Sequence, residues 1–178
     1  MSTFDLGNIK NFAYEIYNRI GGDECPVILC VGSDKFVADS LGPIVAEMLV
    51  KKYNIPAYVY GGLDYNVNAT NLSVVYNYIE CEHPRKQIIV VDATLSESDG
   101  VIVTDGCFAG MGKILPIKKL GDFSILGVVG RKGKMFKLNT TRLREVKEVA
   151  AFISKGIAMA LFAKRHLQNP TISKTVRQ

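Results

Sequence analysis

Apolar and polar residues recur along the chain with two different periods. Between residues 4 and 20, Ile9, Phe12, Ala13, Ile16, Tyr17 and Ile20 return every three or four residues. That spacing lays them on one stripe of an amphipathic helix, which Gly21 and Gly22 end. Residues 27–31, Val-Ile-Leu-Cys-Val, are instead apolar without interruption. A run this short, opened by Pro26 and stopped by Gly32, predicts a buried strand. Asp39, Ser40, Gly42 and Pro43 then carry helix-start signals: Ser40 can cap the first turn, and Pro43 has its φ preset. The helix after Pro43 is predicted to run to about residue 53, burying Ile44, Val45, Met48 and Leu49.

Residues 57–61 predict a second short strand. Asn68 or Thr70 can cap a third helix with Leu72, Val75, Tyr76 and Ile79 on one face, closed by His83-Pro84. Residues 87–92, Gln-Ile-Ile-Val-Val-Asp, make the clearest strand, and their β-branched run fits burial on both faces. Residues 101–104 read as a short antiparallel edge strand and 106–112 as a glycine-rich loop. Further strands are predicted at 124–129 and 135–138, with a turn at 131–134 between them. Residues 139–141 cap a final helix to about residue 167. Its Leu143, Val146, Ala150, Ile153, Ile157 and Ala160 fit core packing and a coiled-coil seam equally. Strands alternating with helices predict a three-layer α/β/α sandwich with a mainly parallel sheet. One domain is expected over residues 1–168, with its first helix inside 1–22 and its main body at 26–168. A basic polar tail follows at 169–178.

Composition narrows the class. Of 178 residues, 48% are hydrophobic and 22% charged, enough to bury a core and too apolar for a disordered chain. No apolar run approaches the roughly 18 residues that span a bilayer. The first residues lack the basic start and apolar core of an export signal, so a cytoplasmic protein is expected. The net charge is +5, and part of it sits in the acid-free stretch 164–178. Residues 113–147 hold ten basic side chains against Asp122 and Glu145, a solvated surface or a contact for an acidic partner. Neither phosphate-binding glycine fingerprint is present, so nucleotide and nucleic-acid partners are not expected. Cys25, Cys30, Cys81 and Cys107 show no CxxC spacing and are expected as free thiols. Two histidines, His83 and His166, leave little for histidine-based catalysis.

Candidate chemistry centres on Asp39 and Asp92, each following an apolar run. In an open α/β sheet, ligands sit at the carboxyl ends of strands. If those two strands are neighbours, both acids overhang one crevice. Two close carboxylates share a proton, so one can activate water while the other polarises a carbonyl. The same oxygens, with Asp64 as a third ligand, could hold a divalent cation. They could equally be a helix cap and a strand end.

The motif at 31–43, Val-Gly-Ser-Asp-Lys-Phe-Val-Ala-Asp-Ser-Leu-Gly-Pro, resembles the opening motif of the YyaC-type sporulation proteins of endospore-forming bacteria. Tyr60-Gly-Gly-Leu, Asn68-Ala-Thr-Asn-Leu, Val90-Val-Asp-Ala-Thr-Leu and Ala109-Gly-Met-Gly-Lys follow in register. Gly121-Asp-Phe-Ser-Ile-Leu-Gly-Val-Val-Gly and Leu138-Asn-Thr-Thr-Arg-Leu complete a resemblance over about residues 26–160. More distantly, the two acid motifs are similar to Asp-Ala-Leu-Gly-Pro and Ile-Asp-Ala-Leu of the germination protease that degrades small acid-soluble spore proteins. Both groups resemble the hydrogenase maturation proteases in fold. The resemblance implies a sporulation-linked intracellular peptidase with Asp39 and Asp92 as its catalytic pair. Ser40, Gly42, Gly110 and Gly112 would line the substrate site, and no cofactor would be required. In the maturation proteases the equivalent acids bind nickel with a histidine, so a divalent metal on Asp39, Asp92 and Asp64 is the alternative. The chain departs from the YyaC pattern at Ala38, usually glycine, and at Asn68, usually histidine. A non-catalytic binding protein of the same fold is the third reading. A protein substrate, no membrane, and self-association through the last helix are the partner expectations.

Overall fold

The apolar runs at 27–31 and 87–92 become neighbouring parallel strands in the interior of a six-stranded sheet. The computed structural model describes residues 1–21, 25–107, 120–130 and 141–168. Strand β1 (Ser2–Phe4) leads into helix α1 (Ile9–Arg19), strand β2 (Val27–Cys30) and a 3-10 turn (Val37–Ser40). Helix α2 (Leu41–Glu47) widens into a π-helical turn (Met48–Tyr53) before strand β3 (Tyr58–Tyr60) and helix α3 (Leu72–Glu82). Strands β4 (Ile88–Leu95), β5 (Val101–Cys107) and β6 (Leu120–Gly130) precede the last helix, α4 (Leu143–Gln168).

The strand order is β1-β5-β6-β4-β2-β3. Strands β6, β4, β2 and β3 pair parallel, β5 is antiparallel to β6, and β1 is antiparallel to β5. Side chains alternate across the sheet. Val27, Leu29, Ile88 and Val90 pack with Leu72, Tyr76 and Ile79 of α3. Ile28, Cys30, Ile89 and Val91 pack on the other face with α1, α2 and α4. Both faces of the central strands are therefore covered, which is why their sequences show no alternation. The expected three-layer α/β arrangement is present, as a mixed sheet.

The stripe on α4 is core. Val146, Ala150, Ile153, Ile157 and Ala160 are buried together with Phe12 and Leu41. Phe12 of α1 stacks on Phe152 with centroids 4.9 Å apart. Those five positions are thus spent inside the molecule, and Leu143 alone of the stripe is exposed. No helix among the described residues is long and apolar enough to cross a membrane.

Several local expectations are corrected. Residues 2–4 form a strand rather than the approach to a helix, because Ser2–Phe4 finds Val101–Val103 to pair with. Strand β5 is antiparallel as expected but interior, since β1 covers it. The second helix begins at Leu41, and Ser40 does not cap it: its hydroxyl donates to the Val37 carbonyl at 2.7 Å. Asn68 and Thr70 make a turn before α3, where Asn68 Oδ1 accepts the Thr70 amide at 3.0 Å and the Asn68 carbonyl accepts the Leu72 amide. Strand β6 starts at Leu120, four residues before the predicted one, because Asp122 Oδ2 accepts the Ile88 amide at 2.7 Å. Residues 106 and 107, predicted to open a glycine-rich loop at 106–112, are instead the end of β5. Residues 108–112, the predicted turn at 131–134, the predicted strand at 135–138 and the tail at 169–178 lie outside the described residues.

Candidate active site

Two close approaches of backbone set the position of Asp39. Gly32, with φ of 146°, turns the chain out of β2. A Cβ there would lie 2.1 Å from the Asp39 carbonyl oxygen, so only glycine admits that contact. The Ser33 amide donates to the same oxygen at 3.0 Å, and the Asp39 amide donates to the Phe36 carbonyl at 3.0 Å. Gly42 lies against the other side: its Cβ would sit 2.1 Å from the Val31 carbonyl oxygen. The glycines of the motif let the 3-10 turn and α2 rest directly on the end of β2.

Asp92 comes from the neighbouring strand. Cys30 is in register with Val91, and the Val31 amide donates to the Val91 carbonyl at 2.8 Å. Beyond that point β2 ends while β4 continues to Leu95. Asp92 is therefore the first residue of β4 past the end of its neighbour, on the face of Ile88 and Val90. The chain leaves β2 for β3 on one side and returns as β4 on the other. The gap between β2 and β4 is the switch point of the sheet, where open α/β folds bind ligands.

The electrostatics ties the two acids together. Asp92 is surrounded by protein while keeping part of its surface to solvent. Burial raises its carboxyl most, the Ala93 amide at 2.7 Å from Oδ1 opposes this, and the negative charge of Asp39 raises it further, to about 7. Half-buried Asp39 is also raised, by burial, against the Ser33 amide. Both carboxyls are therefore held above the ordinary carboxylate range, and near neutrality Asp92 keeps much of its proton.

The remaining predicted residues stand elsewhere. Ser40 is buried with its hydroxyl committed to Val37, and Gly42 is buried against β2, so both support the site from behind. Neither offers a substrate-lining surface. Asp64 is exposed and its charge acts on Lys51. Among the described residues no three His, Cys, Asp or Glu side chains group as metal ligands, so Asp64 does not join Asp39 and Asp92. Gly110 and Gly112 lie outside the described residues. His83 bonds the Tyr60 hydroxyl at 2.8 Å and His166 is exposed in the last turn of α4. Cys30 is fully buried, and burial pushes its thiol far up; Cys25 and Cys81 are exposed free thiols. Asn66 Nδ2 donates to Asp34 Oδ1 at 2.7 Å, joining the loops that follow β2 and β3. Asparagine in a polar loop carries no periodic signal that would reveal such a tie.

The profile of a family described as "Protein of unknown function (DUF1256)" matches residues 3–156. The chain belongs to the DUF1256 family. The uncharacterized protein YyaC of Bacillus subtilis (strain 168) is 35% identical over 141 residues, covering 75% of this chain and 68% of the relative. This agrees with the resemblance carried by residues 31–43 and 90–95. Among solved structures, the DUF1256 chain is similar to a peptidyl-tRNA hydrolase from Acinetobacter baumannii, with a TM-score of 0.49 and 14% identity. That match covers 79% of this chain and 97% of the other. A NiFe hydrogenase maturation protease, HycI from Thermococcus kodakarensis KOD1, gives a TM-score of 0.43 and 15% identity, covering 80% and 98%. Likeness at that level says nothing of the chemistry of the DUF1256 site, which rests on its own residues.

Proposed function

We propose that this DUF1256 protein is a peptidase in which Asp39 and Asp92 share one proton and activate water against a peptide bond. The observation that carries the reading is the position of a protein-enclosed carboxyl, Asp92, at the switch point of the sheet, where the charge of Asp39 acts on it.

Asp39 is ionised and takes a proton from the attacking water. Asp92 is protonated and gives its proton to the carbonyl oxygen as the water oxygen bonds to the carbon. The tetrahedral diol then collapses: Asp39 protonates the leaving amine as the C–N bond breaks, and a diol hydroxyl returns a proton to Asp92. The acids end as they began, and no cofactor takes part. A cation bridging both acids would need Asp92 ionised, the form its burial disfavours. The resemblance to the YyaC and germination-protease motifs supports a protein substrate of the sporulating cell, such as a small acid-soluble spore protein, and a cytoplasmic site of action.

The test is cleavage of a small acid-soluble spore protein by wild type, Asp39→Asn and Asp92→Asn, with fragments read by mass spectrometry with and without chelator. Wild type should cut in both conditions, and each variant should lose about a thousandfold. Wild-type activity should decline as pH rises past about 7, where Asp92 gives up the proton it must donate. Equal cleavage by all three proteins rejects the pair, and activity that chelator removes rejects the metal-free route.

A further inference from the structure

Two loops beside the acid pair expose large apolar side chains. Phe36 is 67% exposed and Tyr65 75%, and Val37 and Leu63 are exposed as well. Single exposed apolar residues are ordinary on any protein surface. These four, however, lie on the loops that leave the carboxyl ends of the adjacent strands β2 and β3. Asn66 bonds Asp34 across the two loops. Beneath them Val31 bridges Val67, and the Gly32 amide donates to the Val67 carbonyl at 2.7 Å. The loops therefore form one rim.

That rim is continuous with Asp39. The Phe36 carbonyl accepts the Asp39 amide, and Val37 opens the same 3-10 turn that carries Asp39. Such a turn rises about 2 Å per residue, which sets Val37 about 4 Å from Asp39 along its axis. An extended substrate advances about 3.4 Å per residue. A peptide bond held at the acid pair thus brings the side chain one or two residues away onto the rim.

We propose that Phe36, Val37, Leu63 and Tyr65 form an apolar subsite that selects protein substrates with a large aliphatic or aromatic side chain beside the cleaved bond. The inference rests on the acid-pair reading for its placement, and its test separates the two. Four fluorescent decapeptides of Gly and Ser, with Phe, Leu, Ala or Asp at one central position, are titrated against the Asp92→Asn protein by anisotropy. The Phe and Leu peptides should bind at least about tenfold tighter than the Ala and Asp peptides. The Phe36→Ser/Tyr65→Ser double variant, or Tyr65→Ser alone should the double variant unfold, should lose most of that preference. Phe36→Leu should keep it. Equal binding of the four peptides, no binding of any, or a preference that survives the serine variants overturns the subsite. Wild type that binds with this preference but cuts none of the peptides, nor any spore protein, would sink the peptidase reading and leave the subsite standing.

Discussion

Replacing Asp92 by Asn should convert a pH-dependent stability into a flatter one. In the folded protein the Asp92 carboxyl titrates at about 7, against 3.8 for the free side chain. Between those values the unfolded chain has released the proton while the folded chain still holds it. Folding therefore binds a proton there, and stability falls as pH rises from about 4 to 7, at about 1.4 kcal/mol per pH unit. Over the window of roughly three units the loss is about 4 kcal/mol. Below pH 4 both states are protonated and the penalty is absent; above 7 it is complete. Asp92→Asn removes the ionisable group, so its stability relative to wild type should climb by about 4 kcal/mol between pH 4 and 8, worth about 10 °C in Tm. Thermal and urea unfolding of both proteins at intervals across that range measures the difference, and the other titrating groups cancel in the subtraction. Adding Asp39→Asn should shrink the window only in part, because burial outranks the charge of Asp39 among the causes. Wild type and Asp92→Asn curves that run parallel across the range would refute the account of a buried, proton-holding carboxyl.

Gly42→Ala should cost at least about 3 kcal/mol, since its methyl would meet the Val31 carbonyl oxygen at 2.1 Å, whereas Gly21→Ala, with nothing within 4 Å, should leave Tm nearly unchanged. Thermal unfolding of the two variants decides this. Cys25 and Cys81 should alkylate in the native protein and Cys30 only after denaturation, because burial keeps its thiol protonated and out of reach; peptide mapping after timed labelling reads each cysteine separately.

What the sequence disclosed followed from how local each cause was. The strands at 27–30 and 88–92 were legible because burial on both faces writes itself as an uninterrupted apolar run. The stripe on α4 was legible as a buried face, yet its partners were not, since the same spacing serves a core or a seam. Strand β1 left no trace: three residues make a strand only because Val101–Val103 lies beside them, nearly a hundred residues later. The start of β6 was hidden for a like reason. Gly121 and Asp122 carry no apolar run to mark a strand, and the Asp122 carboxylate takes the Ile88 amide only in the folded sheet. Asp39 and Asp92 draw notice by their positions after strands, whereas Ser40 and Gly42, read as part of the substrate face, stand buried against backbone. Their small size suits a tight backbone approach as well as a binding surface, and spacing does not separate the two. The rim of Phe36 and Tyr65 was unreadable because exposure depends on what packs nearby rather than on the order of residues.

The pairing of β1 with β5 has a consequence for how the chain reaches this form during synthesis. Ser2, Thr3 and Phe4 are made well before residues 101–103, the strand they pair with in the sheet. Phe12 of α1 waits longer still, for Phe152 near the other end. The opening segment must stay unsettled while most of the chain is translated, then close the sheet in one late, cooperative step. Such long-range contacts slow folding and leave apolar surface open to association in the meantime.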